Sequence, residues 1–423
     1  MKTPLAWKNL VHNKVRTVIG VAGVSFAVIL IFMQLGFLGG IIQTATQIYD
    51  AFEFDLMLRS PAYLHLTEAR SFPRSRVFQA ASLPEVTQAR SFYLGLSEWQ
   101  APAKIKSPPS NDRPSASKTT LEEEGDWRAI ITMGTDPQDP AFNREDINAE
   151  ARKLTDPTFV LVDVKSKSEY GPKNGEKFGK ADIGVETTLG PERVRIVGLF
   201  ELGTGMASNG ACLTNPEGYI RACPWQTIDD VTFGLLKLED PSNADRVREK
   251  LMSIYGIPSR SDPSVSRLTP ASLSNADVEI LTRQQALDRE EHRWVHETPL
   301  GQIFTLGVWV ALFVGVAIVY QVLSTDIANM MSEYATLKAM GYGAKYLTRV
   351  VLSQAVLLAV FGYVPSILVS WILYYVVESL SGMPMNLTPG IAVLVFTLAI
   401  VMCVVSGLAA LRKLYKADPA DLF

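Results

Sequence analysis

The sequence predicts a membrane α-helical fold: four transmembrane helices, one plus three, with a large mixed α/β domain inserted after the first. Three observations carry that expectation. Four long windows contain no Asp, Glu, Lys, Arg or His, and no other stretch has a comparable uncharged run. The chain is 48% hydrophobic, and its mean hydropathy of +0.13 lies between a soluble protein and a bare membrane bundle. The basic residues beside the windows all agree on one orientation.

An apolar helix crosses the hydrocarbon core with about 20 residues, because each residue rises only ~1.5 Å. The first window runs from Thr17 to Ile42 and the second from Ile303 to Thr325. The third runs from Val350 to Val377, and the fourth from Ile391 to Leu411. The first is too long for the apolar core of a cleaved signal peptide, which spans ~7–15 residues. Lys2, Lys8, Lys14 and Arg16 precede it with no acid among them, which predicts a cytoplasmic N-terminus. Lys338, Lys345 and Arg349 place the loop after the second window on the same side. Glu378, with no Lys or Arg nearby, puts the third link outside, and Arg412, Lys413 and Lys416 return the C-terminus to the cytoplasm.

Residues from about 50 to 295 are then outside. Strand-like runs lie at Ala129–Met133, Thr158–Val164, Val194–Phe200 and Phe233–Leu238, and helical patterns at Asn243–Tyr255 and Thr282–Glu297. That mixture predicts an α/β domain. The Pro-, Ser- and charge-rich stretch 101–125 reads as an exposed loop, with a docking arm as the alternative. Gly40–Phe54 extends the first span outward, and Leu281–Glu297 leads into the second, with Pro299 as a kink at the joint.

Several chemistries lack their residues. Gly175–Lys180 is short of a phosphate loop, because Asn174 and Ala181 stand where Gly and Ser or Thr are required. His292 and His296 have the spacing of a helical metal pair, but Arg293 replaces the glutamate of the H-E-x-x-H pattern and no third ligand is evident. Cys212 and Cys223 are either a disulfide, if their compartment is oxidising, or two small buried residues; Cys403 lies inside the fourth window. A net charge of −3 gives no reason to expect nucleic acid. No ionisable residue lies within a span, only amides such as Gln34, Gln321 and Gln354, so neither an ion-driven pump nor an enzyme is expected. The expected catalytic, cofactor and metal residues are therefore none, and any energy comes from a partner.

Ile327, Met330, Met331, Tyr334, Leu337 and Met340 recur at helical spacing between the second and third spans, and Gly341 and Gly343 end the pattern. A short amphipathic helix there suits a soluble cytoplasmic partner, or lipid headgroups. The segment SEYATLKAMGY resembles the one that permeases of the MacB/FtsX (type VII) class of ABC transporters place against their ATPase. Within that class the chain is similar to the DevC family. The similar stretches are AWKNLVHNKVRT, FVLVDVKSKSEYGP, RVRIVGLFELGTG, YQVLSTDIANMMSEYATLKAMGY and VMCVVSGLAALRKLYKADPADLF. The loop at 101–125 is longer and more polar than the family pattern.

The resemblance implies a non-catalytic subunit of an ATP-driven tripartite exporter. It implies a second copy of the chain, a cytoplasmic ABC ATPase that binds ATP and Mg, a periplasmic adaptor protein and a TolC-like outer-membrane duct. It implies a lipid-like or amphipathic substrate, glycolipid in DevC-type systems, moved from the periplasmic side by mechanotransmission. Glu333, Tyr334, Lys338, Ala339, Met340 and Gly341 would form the main ATPase contact, with Arg412 to Asp418 and Trp7 to Arg16 secondary. The implied organisation is a cytoplasmic amphipathic helix 1–16, spans at 17–42, 300–325, 350–377 and 391–411, and a periplasmic α/β domain with stalk helices at 43–299. The remainder is a coupling helix at 326–349, a short periplasmic loop at 378–390 and a cytoplasmic tail at 412–423, in the inner membrane of a double-membraned bacterium. Two other readings stand beside export: FtsX-like signalling to a cell-wall hydrolase, and LolC/LolE-like lipoprotein extraction.

Overall fold

The computed structural model describes residues 14–102, 125–203, 209–257, 277–331, 336, 340, 344–381 and 383–416. In chain order, helix α1 (Lys14–Ala51) is followed by β1 (Leu56–Arg59), β2 (Phe72–Pro73), α2 (Ser75–Ala81), β3 (Val86–Gln100) and β4 (Trp127–Gly134). Next come α3 (Glu145–Ala151), β5 (Phe159–Asp163), β6 (Glu186–Leu189), β7 (Glu192–Phe200), β8 (Ala211–Thr214) and α4 (Pro216–Ala222). The chain continues through β9 (Asp230–Val231), β10 (Phe233–Leu238), α5 (Ala244–Ile254), β11 (Glu279–Thr282) and α6 (Arg283–His292). It ends with three long helices: α7 (Pro299–Asn329), α8 (Ala344–Ser381) and α9 (Pro389–Lys416). The fold is therefore four apolar helices, one N-terminal and three C-terminal, with a large mixed α/β domain between them. Two compact units result, one of residues 1–43 with 293–423 and one of residues 44–292.

Among the described residues, four stretches are long and apolar enough to cross a membrane: Thr17–Ala51, Pro299–Asn329, Thr348–Ser381 and Pro389–Leu411. Each runs past its uncharged window, because a helix continues into water wherever the next residues still satisfy its backbone. Pro299 lies beside a break in helical conformation, at Thr298, whose backbone is extended (φ −87°, ψ 146°). The proline is the first residue of α7, where its missing N–H is no loss, and Thr298 caps the helix by accepting the Gly301 N–H at 3.3 Å. A proline does lie within α8, Pro365.

Lipid gives apolar helices no hydrophobic reason to associate, so close packing and hydroxyl bonds must do so. Val24, Val28, Ile31, Val319, Leu358 and Met402 belong to one buried cluster. At Gly36 the Tyr374 ring of α8 comes so close that any Cβ would overlap it, and the Tyr374 hydroxyl donates to the Phe32 carbonyl. Ser25 Oγ donates to the Gly362 carbonyl at 2.9 Å, and Ser406 Oγ to that of Val316 at 2.9 Å.

The α/β unit is built on a nine-stranded sheet in the order β11-β1-β10-β3-β4-β8-β5-β7-β6. The 15-residue strand β3 belongs to both halves. Its first half pairs with β10, from Val86 to Phe92, and its second with β4, from Tyr93 to Gln100. Strand β6 pairs with β7 and again with β3 at Trp99 and Gln100, so that β3-β4-β8-β5-β7-β6 closes on itself. One side of this closed sheet carries Trp99, Ile130, Val160, Val162, Ile196 and Cys212. The alternate residues Leu94, Ile131, Met133, Leu161 and Leu213 join a second cluster that includes Tyr49 from α1 and Phe52 just after it. This is the period-2 alternation of a strand buried on both faces.

Local signals fix the shorter elements. Asn215 caps α4 by accepting the Gly218 N–H at 2.7 Å, with Pro216 in the first helical position. Strands β5 and β7 run parallel. Asp163 ties their ends together by accepting the N–H of Lys165 at 2.9 Å and of Leu202 at 3.3 Å. Burial pushes the Asp163 carboxyl above its ordinary value, against the pull of those amides.

Candidate functional site

The segment expected to meet an ATPase lies mostly outside the described residues: Glu333, Tyr334, Lys338, Ala339 and Gly341 do so, and only Met340 is placed, 63% exposed. The structure does show its two ends. Helix α7 continues past Thr325 to Asn329, so the buried Ile327 belongs to the membrane helix itself, and α8 begins at Ala344. The 1–13 part of the expected N-terminal helix, the tail from 417 and the loop 103–124 also lie outside the described residues.

Cys212, on β8, has its Sγ 3.5 Å from Thr132 Oγ1, and Cys223, just after α4, points its thiol at the Leu96 carbonyl. Both are free and buried in this structure. Burial pushes each thiol up to about 12. His292 is the last residue of α6, while His296 lies in the following π-helical turn, Arg293–Glu297.

The feature that sequence reasoning missed is a buried charge cluster in the 44–292 unit. All four residues of β1 are buried, and its last, Arg59, is 2% exposed at the side chain. The antiparallel register sets Arg59 opposite Glu279 of β11, and its Nε donates to Glu279 Oε1 at 2.6 Å. Arg289 of α6 donates to the other oxygen of Glu279. Glu290, the next residue on α6, is 1% exposed and lies 3.8 Å from Arg59 Nη1. Arg59 and Glu290, both almost wholly buried, thus balance, as buried ions must, while Glu279 and Arg289 reach toward solvent.

Two tyrosines complete the cluster. Tyr49 Oη of α1 donates to Glu290 Oε2 at 3.2 Å and stands 3.1 Å from Tyr63 Oη. A hydroxyl has one proton and a carboxylate has none to give, so Tyr63 donates to Tyr49 and Tyr49 to Glu290. Burial, and then the Glu290 charge, push the Tyr49 phenol far above its ordinary value, and burial does the same to Tyr63. Both remain neutral donors across the physiological range. The Arg59 guanidinium lies over the Tyr63 ring, 4.9 Å from its centroid.

A second tie joins the same two helices. Helix α1 ends at Ala51, leaving carbonyls with no partner further along the helix. Arg283, the first residue of α6, donates through Nη1 to the Phe52 carbonyl at 2.9 Å and through Nη2 to that of Asp50 at 3.3 Å. A cation at a helix C-terminus is favoured there. The C-terminal end of α1 is thus held at both ends of α6: by Arg283 at its start and by Glu290 near its finish.

This arrangement holds no nucleophile with a base beside it. What it can do is fix helix ends. Helix α1 runs unbroken from Lys14 to Ala51, and by sequence α6 leads through the Arg293–Glu297 turn into α7. Of the two helices tied by the cluster, α1 is therefore continuous with the first apolar stretch, and α6 precedes the second in sequence.

Residues 305–419 match the FtsX-like permease C-terminal family. The matched segment begins within α7 and takes in the stretch between α7 and α8, then α8 and α9. Among solved structures, the chain is similar to the periplasmic region of MacB from Actinobacillus actinomycetemcomitans, with 9% identity and a TM-score of 0.32 over 59% of this chain and 98% of that one. It is also similar to the extracellular domain of the noncanonic ABC-type transporter YknZ from Gram-positive bacteria, with 11% identity and a TM-score of 0.29 over 54% of this chain and 99% of that one. No curated protein matches the chain in sequence.

Proposed function

We propose that the chain is the permease subunit of an ABC transporter whose ATPase is a separate protein, and that it transmits motion across a cytoplasmic membrane. The observation that carries this reading is the FtsX-like permease match over residues 305–419, which spans the segment between α7 and α8. The uncharged spans support it: with no ionisable residue to couple to a gradient, the work must come from a partner. The basic residues Lys338, Lys345 and Arg349 support a cytoplasmic side for that segment, where ATP is found.

In this reading Glu333, Tyr334, Lys338, Ala339, Met340 and Gly341 bind the ATPase, and two copies of the chain work with two ATPases. Closure of the ATPases moves α1 and α7, and the α/β unit follows because α1 enters it without a break. By its DevC-like stretches the system exports a lipid-like or amphipathic substrate from the periplasmic side, through an adaptor protein and an outer-membrane duct. Glu333→Lys together with Lys338→Glu tests the interface. The double variant, expressed with its ATPase, loses co-purification while remaining in the membrane; unchanged co-purification would remove this contact from the proposal.

A further inference from the structure

The Glu290 carboxylate stands between two donors carried by different elements. Tyr49 Oη, on α1, donates to Oε2 at 3.2 Å. Arg59 Nη1, on β1, is 3.8 Å from the same oxygen, beyond hydrogen-bond reach. Nη1 is buried and has no hydrogen-bond partner among the described residues. A buried guanidinium N–H without an acceptor is rare enough to need a reason. Arg59 is itself pinned, because Nε is held by Glu279 at 2.6 Å and the guanidinium rests over the Tyr63 ring. Closing the gap therefore falls to Glu290, and the movement required is only about 1 Å.

We propose that Glu290 is a two-position catch. In the position seen it holds Tyr49 at the C-terminal end of α1; after a slide of α6 by about 1 Å it takes the Arg59 Nη1 proton donor on β1 instead. Neither position strands a polar group entirely, since Tyr49 and Tyr63 keep each other when Glu290 leaves. One bond to a charged carboxylate replaces another, which keeps the two positions close in free energy, as a switching element requires. The catch decides whether the C-terminal end of α1 is tied to α6 or released from it. Its use in transport rests on the permease reading; its existence does not.

Hydrogen exchange on the full-length chain in lipid nanodiscs, with no ATPase present, tests this. The segments followed are 44–51 of α1 and 283–292 of α6, with 192–200 of β7 as reference. Glu290→Gln weakens both positions, so exchange in both segments rises at least fivefold while the reference stays unchanged. Tyr49→Phe removes only the first position. Exchange in 44–51 then rises at least fivefold, but 283–292 stays within twofold of the native chain, because Arg59 catches Glu290. If Tyr49→Phe loosens 283–292 as much as Glu290→Gln does, there is no second position and the proposal fails. A uniform rise that includes the reference would also overturn it, by showing a general loss of stability. Neither failure touches the ATPase contact, which co-purification reads separately.

Discussion

In residues 14–43 and 293–416 the buried polar contacts run from hydroxyls to backbone carbonyls, as from Ser25 to Gly362 and from Ser406 to Val316. In residues 44–292 a central polar cluster is ionic, with Arg59 and Glu290 withdrawn from water and Glu279 partly so. The difference follows from the solvent each unit must fold in. A helix in lipid cannot shed the cost of an ionised side chain, so its specificity comes from close approach and from hydroxyls that borrow a carbonyl already present. A domain in water begins with solvated charges and can bury a few where strand register supplies the opposite sign, as β1 and β11 do for Arg59 and Glu279. Each unit therefore has its own weak point: volume in the helices, charge balance in the domain.

The charge side of this contrast is the one a single change should break most severely. Arg59→Met leaves Glu279 with Arg289 alone and removes the balancing cation beside Glu290. Stripping one partner from a buried ion pair costs about 3–5 kcal/mol, and the change should appear as a lower denaturant midpoint for the 44–292 unit, followed by tryptophan fluorescence. A loss below about 1 kcal/mol, the usual value for exposed pairs, would mean that these ions act as though they were solvated.

The volume side should give a smaller effect. Gly36→Leu places a side chain where the Tyr374 ring already stands, and overpacking of this kind costs about 1–3 kcal/mol. Thermal unfolding in detergent should shift for the helical unit while hydrogen exchange in the 192–200 strand stays as it was. A chain that tolerates Leu at 36 without change would mean that α1 and α8 do not depend on this close approach.

The smallest effect concerns the thiols of the domain. With values near 12 in place of about 9, roughly one thiol in ten thousand is ionised at pH 8 rather than one in ten. A thiol whose value is raised on folding stabilises the fold fully below about pH 9 and loses that contribution as pH rises through about 12. Iodoacetamide should therefore leave Cys212 and Cys223 unmodified in the folded chain at pH 8 and alkylate both after denaturation without reductant. If denaturation alone exposes no thiol, the two are paired and the free state is wrong for the protein's compartment.

The membrane architecture was legible because hydrocarbon imposes a simple rule over long stretches. A helix in lipid must be uncharged for about 20 residues, and the four windows obey it. The strands at Ala129–Met133, Thr158–Val164 and Phe233–Leu238 were also visible, because strands buried on both faces read as continuous apolar runs, and Val194–Phe200 was visible through its alternation of buried and more exposed residues. Strand β3 was not. Arg90 and Glu98 interrupt its pattern, and Arg90 is tolerated there only because Glu53 and Asp139 reach it at 3.0 Å and 2.8 Å. Those acids lie far away in sequence, so no local window reveals the pairing.

The same reason hid the charge cluster. Within LTRQQALDREEHRWVHE, Glu290 and Glu291 are alike to any sequence pattern, and both read as solvated helix residues. Only the fold distinguishes them: Glu290 is buried against Tyr49 and Arg59, and Glu291 is exposed. The sequence by itself determined how many helices are apolar enough to cross a membrane and where the α/β domain is inserted, since both follow from residue-by-residue preference for oil or water. The tertiary structure alone decided which charges are buried together, because that depends on strand register and helix ends separated by as many as 241 positions in the chain.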